Sequence, residues 1–150
     1  MKRNENLVPL SRDHHFGLLC CWKIRQGIKK DISYERIRKY INFYWEKNLS
    51  GHFEIEDTIL PEVKNNNLQI QMENEHREIN RLINNIKQSD NKELLADFAD
   101  LLYQHIRFEE RTVFPHLEEH LSADQLSEIG AQLDGLHHKE QDDYPDEFWK

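Results

Sequence analysis

Apolar residues recur along this chain at steps of three and four over four long stretches, the spacing that gathers them on one face of an α-helix. The first stretch runs from about Leu10 to Lys29 and stops at the polar Lys29-Lys30-Asp31, after which Ser33 stands where a helix cap belongs. A second spans about Tyr34 to Leu60 and ends at Pro61, ahead of the Asn65-Asn66-Asn67 run. A third covers about Leu68 to Lys87. Gln88 to Asn91 reads as a turn with Asp90 and Glu93 in capping-box relation, and a fourth stretch then reaches about Phe114, where Pro115 bends or ends it. Ser122 and Gln125 repeat the capping spacing before a short fifth helix, about Ala123 to His138, and the tail after Asp142 carries no period. Five Gly and four Pro in 150 residues leave few interruptions. The pattern predicts an all-α fold, an up-down-up-down four-helix bundle with a short C-terminal fifth helix. The length fits one domain over residues 1–150, with its core within about residues 10–120.

Polar residues interrupt every one of the four stripes. The first reads Leu10, His14, Leu18, Cys21, Ile24, Ile28, and the second Ile37, Ile41, Tyr44, His52, Glu56, Ile59. The third reads Met72, His76, Ile79, Ile83, Ile86, and the fourth Phe98, Leu102, His105, Glu109, Val113. A single histidine on an apolar face is ordinarily a hydrogen-bonded core residue. The carboxylates are harder to place. Burying an ionised Glu without a partner costs several kcal/mol, and ~5 to 15 kcal/mol is all the stability such a domain has. The stripes hold no Lys or Arg set to neutralise Glu56 and Glu109, whereas a cation between them would do so, with imidazoles completing its shell.

The chain also repeats itself. His52-Phe-Glu-Ile-Glu56-Asp-Thr-Ile-Leu-Pro61 and His105-Ile-Arg-Phe-Glu109-Glu-Arg-Thr-Val-Phe-Pro115 share the order His, Glu four later, acid, Thr, two apolar residues, Pro, with one extra residue in the second copy. Asp13-His14 and Glu75-His76 open the first and third patterns alike. Each half therefore supplies two imidazoles and one carboxylate, so two halves packed together suit two metals with two nitrogens each and two carboxylates able to bridge. His15, on a face with Leu18, Leu19 and Trp22, is the alternative ligand on the first helix, but the repeat favours His14.

These strings resemble the haemerythrin-like family, or HHE cation-binding domains, over about Leu10 to Leu117. The resemblance implies a four-helix bundle around a non-haem centre of two Fe ions joined by an oxo or hydroxo bridge. It further implies that Glu56 and Glu109 bridge the irons, that His14 and His52 serve one, and that His76 and His105 serve the other. Oxygen-carrying haemerythrins have a further His one turn from the third-helix ligand. Here Met72 and Asn80 stand in those places, and the last acid is Glu at i+4 rather than Asp at i+5. A five-coordinate iron pair with open positions is implied, similar to proteins that answer nitric oxide or oxidative stress, repair iron centres, or sense iron or oxygen. The expected partners are a small diatomic ligand (O2 or NO) or peroxide and a redox partner of unspecified kind. Binding or sensing is favoured over catalysis, with redox activity of the iron pair as the catalytic option. A structural or adaptor bundle stabilised by zinc or manganese is the alternative, against which the scarcity of Cys ligands speaks. A metal-free interaction module fits the buried carboxylates least.

Composition narrows the field further. With 20 Lys plus Arg against 28 Asp plus Glu, the formal net charge is −8, which attracts phosphate backbones poorly and makes nucleic acid an unexpected partner. No apolar run approaches the ~20 residues that cross a bilayer, and no apolar leader opens the chain, so a cytoplasmic monomer or homodimer is expected. Cys20 and Cys21 are adjacent and cannot form an ordinary framework disulfide, and at least Cys21 reads as core. Tyr40, Tyr44, Trp45 and Tyr103 read mostly as core aromatics. His116 and His120 resemble a surface metal clip without the zinc-protease order, and His137 and His138 read as a solvated end.

Overall fold

Helix α1 (Val8–Lys29) starts with a proline in its first turn, where the missing N–H is not needed. It closes with Ile32 N–H donating to Gly27 O (2.9 Å) around Asp31, whose φ of 55° is a left-handed conformation that Asp tolerates. Ser33 then caps α2 (Tyr34–Tyr44) through Arg36 N–H. A π-helical turn, π1 (Trp45–Leu49), joins α2 to α3 (Ser50–Ile59) without a break in the helical path. After α4 (Asn67–Lys87), a second continuous path runs through α5 (Lys92–Phe108), the π-helical turn π2 (Glu109–Val113) and α6 (Phe114–His120) to the last helix, α7 (Ala123–Leu136). This computed structural model describes residues 2–63, 66–136 and 140–150, and among them there is no strand. His137 and His138 lie outside the described residues.

The long helices pack side by side as a bundle, α1 along α5, α4 along α5 and α2 against α4. Gly17 lets α1 and α5 approach closely, since a Cβ there would stand 2.6 Å from Ile106 Cδ1. Two apolar clusters form the interior. One gathers Ile24, Ile41, Ile79, Ile83, Phe98 and Leu102, the other Leu10, Met72, Val113, Phe114, Leu117 and Ile129. Along every helix the polar interruptions of the stripes fall between these two clusters, so hydrophobic burial on both sides fixes the helices that carry them.

Three expectations need correction. Pro115 does not end the fourth helix, which continues to His120. The turn π2 accommodates the extra residue of the second repeat and places Pro115 in the first turn of α6, where no N–H is required. The cap of α5 is Asn91, whose side chain accepts from Glu93 N–H at 3.0 Å, rather than Asp90. Ile28 closes the α1 stripe in sequence yet is 36% exposed, because it lies in the last turn, beyond the packed part of the helix. The tail without a period is ordered by long-range contacts: Phe148 and Trp149 are buried, Phe148 lies over Gly27, and Lys23 pairs with Asp142 at 2.7 Å. Cys20 and Cys21 are both buried free thiols. Of the aromatics, Tyr40 and Tyr44 are buried and Trp45 and Tyr103 half-buried.

Candidate metal centre

The side chains His14, His52, Glu56, His76, His105 and Glu109 converge in the layer between the two apolar clusters, each at most 5% exposed and both glutamates fully buried. His14 comes from α1, His52 and Glu56 from α3, His76 from α4, His105 from α5 and Glu109 from the first position of π2. His15, one position further along α1, is exposed.

The glutamates sit between two pairs of imidazoles. Glu56 turns Oε2 toward His52 Nε2 (3.1 Å) and His14 Nε2 (3.8 Å), and Oε1 toward His76 Nε2 (3.1 Å). Glu109 turns Oε1 toward His14 Nε2 (2.7 Å), and Oε2 toward His76 Nε2 (3.1 Å) and His105 Nε2 (2.9 Å). Each carboxylate thus presents one oxygen to each imidazole pair. The donors form two four-residue groups, His14, His52, Glu56, Glu109 and His76, His105, Glu56, Glu109, which share both glutamates.

The outer face of each ring is held as well. His14 Nδ1 lies 2.6 Å from Glu110 Oε2, His52 Nδ1 2.7 Å from Asp13 Oδ2, His76 Nδ1 2.8 Å from Asp57 Oδ1, and His105 Nδ1 2.6 Å from Glu75 Oε1. An ionised carboxylate only accepts hydrogen bonds, so in each ring Nδ1 is assigned the proton and Nε2 keeps a lone pair in the neutral form. Four lone pairs then face carboxylate oxygens. That arrangement is repulsive unless a positive charge lies between them. His14 Nε2, His52 Nε2, His105 Nε2 and three of the four glutamate oxygens are buried without a hydrogen-bond partner.

The titration behaviour follows from this geometry. Burial opposes charge on His14, yet the carboxylate of Glu109 facing Nε2 and that of Glu110 at Nδ1 outweigh it and raise its pKa to about 9. The same contest, settled by Asp57, Glu109 and Glu56, raises His76 to about 12. His52 and His105 are also raised against their burial, and Glu109, despite its burial, is held well below the usual carboxylate range by His105, His14 and His76. Protons thus stand in for a cation in the metal-free cluster. The donor set of nitrogen and carboxylate oxygen suits iron, manganese or zinc, and the carboxylate–histidine contacts are those that orient metal ligands. The site fits a metal.

Aromatic rings wall the layer. Phe53 stacks on His76 (4.0 Å between centroids, 15°) and Phe114 on His14 (5.4 Å, 14°). A surface groove of about 310 Å³, bordered by Trp45, Phe53, Asp57, Arg77 and Asn80, meets His76 from outside. Met72 is buried in the wall and Asn80 is exposed at that groove. His116 and His120 lie outside both donor groups, as do the two cysteines.

Asp13, Asp57, Glu75 and Glu110 were not singled out by the sequence reading as partners of the rings. Their signal was present, an acid directly beside each of His14, Glu56, His76 and Glu109. A family model described as Hemerythrin HHE cation binding domain matches residues 16–117, which include every inward ligand candidate except His14, two positions ahead of its start. No curated relative and no solved structure matches the chain.

Proposed function

Since the chain belongs to the haemerythrin HHE cation-binding domain family, we propose that its single domain, an up-down-up-down bundle, holds a pair of iron ions. In this reading the protein binds, senses or reduces dioxygen, nitric oxide or peroxide, or reports iron through occupancy of the site. One observation carries the reading: Glu56 and Glu109 each offer one oxygen to the His14/His52 pair and one to the His76/His105 pair. A single cation would leave half of these donors facing one another.

His14 and His52 would hold one iron, His76 and His105 the other, and the two glutamates both. Bound iron supplies one-electron redox chemistry and open coordination positions for a small ligand. The chain's own part is to bind, orient and exclude. Asp13, Asp57, Glu75 and Glu110 fix the tautomer and direction of the rings, while Phe53, Phe114, Met72 and the apolar clusters keep bulk water away. Each donor group brings two nitrogens and two carboxylate oxygens, which leaves room for a diatomic ligand or peroxide. The groove beside His76 and Asp57 offers a short path from the surface.

The test is to purify the chain from iron-replete cells, measure metal by elemental analysis and record the visible spectrum with and without azide or nitric oxide. Two irons per chain and a spectrum that shifts with the added ligand support the proposal. Zinc or manganese with a ligand-insensitive spectrum would replace it with a purely structural role for the metal.

A further inference from the structure

The two imidazole pairs are not held alike. Among the acids behind the rings, Glu75 accepts from the neutral amide of Gln71 at 2.9 Å, and the side chain of Asp57 is 40% exposed to water. Glu110 is gripped from several sides. Arg3 Nη2 donates to Glu110 O at 2.7 Å and stands 3.4 Å from its Oε1, and Ser11 Oγ donates to Oε2 at 2.8 Å, the same oxygen that meets His14 Nδ1. Arg3 reaches His14 by a second route, its guanidinium lying over the Phe114 ring (5.4 Å) whose own plane stacks on His14.

The segment ahead of α1 is itself anchored. Arg3 Nη1 donates to Glu118 Oε1 at 2.8 Å, Asn4 N–H donates to the other oxygen of Glu118 at 2.5 Å, Asn6 lies against Gly130 of α7, and Leu7 is fully buried. A cation held on Glu110 and a ring held on Phe114 together restrict both the rotation and the tilt of His14.

We propose that Arg3 is a positioning residue for His14, and that residues 3–7 form a latch on which cation retention at the His14/His52 position depends, while the His76/His105 position is independent of it. This rests on the paired-cation reading above. It gives the two positions unequal exchange and makes one of them responsive to whatever loosens the latch.

Cobalt(II) provides the test. The metal-free full chain is titrated with Co²⁺ by visible absorption and then challenged with a chelator. Wild type is expected to take up two equivalents. Arg3→Ala should keep one as in wild type and bind the other about tenfold more weakly, with about tenfold faster release. Arg3→Lys, which keeps the charge, should recover part of the loss. Arg36→Ala, which breaks only the distant pair with Asp146 (2.6 Å), should change neither. In the metal-free protein, ¹⁵N-histidine NMR should show the ring signals of His14 moving in Arg3→Ala while those of His76 and His105 stay. Unchanged binding and an unmoved His14 signal in Arg3→Ala would overturn the latch, as would equal weakening of both positions. Uptake of fewer than two equivalents by wild type would sink the paired-cation reading instead, and the NMR comparison would then decide the latch alone.

Discussion

Asp13, the residue beside His14 in the chain, accepts a hydrogen bond from the ring of His52 at 2.7 Å. Glu75, beside His76, does the same for His105, while Asp57, beside Glu56, holds His76, and Glu110, beside Glu109, holds His14. Consecutive positions on a helix point about 100° apart, so an acid next to a ligand faces the neighbouring helix rather than its own neighbour. The four contacts repeat under exchange of the two halves of the chain. The duplication read in the strings is therefore carried into the packing, ring by ring. Asp13→Ala should leave every inward donor in place yet weaken cation binding by about 10- to 100-fold, and Asp13→Asn, which still offers an oxygen to the ring, should weaken it less. Competition against a chromophoric chelator measures both.

The inward donors themselves are a stronger test. His105→Ala and Glu109→Ala should lower metal content and thermal stability together, since each removes a donor and leaves the remaining buried charges without compensation. His116→Ala, outside both donor groups, should do neither. Elemental analysis and melting curves on the same preparations check the pairing of the two effects. Full metal loading in His105→Ala would remove that residue from the ligand set.

Cation uptake should release protons. In the metal-free chain His14 is raised from 6.5 to about 9, so at pH 7 its ring is charged and a cation displaces a proton from Nε2. Apparent affinity therefore increases as pH rises toward 9. For folding the sign is the usual one for a raised histidine: its stabilising contribution is complete below the unfolded value of 6.5 and disappears as pH rises through about 9. The metal-free protein should lose thermal stability across that window, and the metal-loaded protein should hold it. Melting curves from pH 6 to 10, with and without the metal, report both, and a flat metal-free curve would contradict the account.

The buried thiols should be inert in the folded chain. Burial pushes Cys21 up to about 12 and Cys20 well above its ordinary value, which leaves little thiolate at pH 8. Iodoacetamide should label neither until the protein is unfolded, as mass spectrometry can follow.

Phe148 joins the tail to α1 over Gly27, and it is 2% exposed. Phe148→Ala should cost about 3 kcal/mol of stability by denaturant titration. Metal content should not change, because the tail is outside the donor groups.

Sequence alone determined the helices and the six inward candidates. Both depend on a local period: a polar residue at a helical step from apolar neighbours is committed to the same face, whatever that face later meets. The repeat of His, Glu and acid likewise announced two equivalent halves. Which acid meets which ring, which glutamate oxygen faces which pair, and how Arg3 reaches His14 were decided by tertiary packing, through contacts between residues far apart in the chain. The turn π2 belongs with them. One extra residue between Glu109 and Pro115 is visible in the letters, but whether a helix breaks there or absorbs it depends on the neighbours that hold the next turn in place. Periodicity reports the face a side chain occupies; only the assembled helices set the distances at which those faces meet.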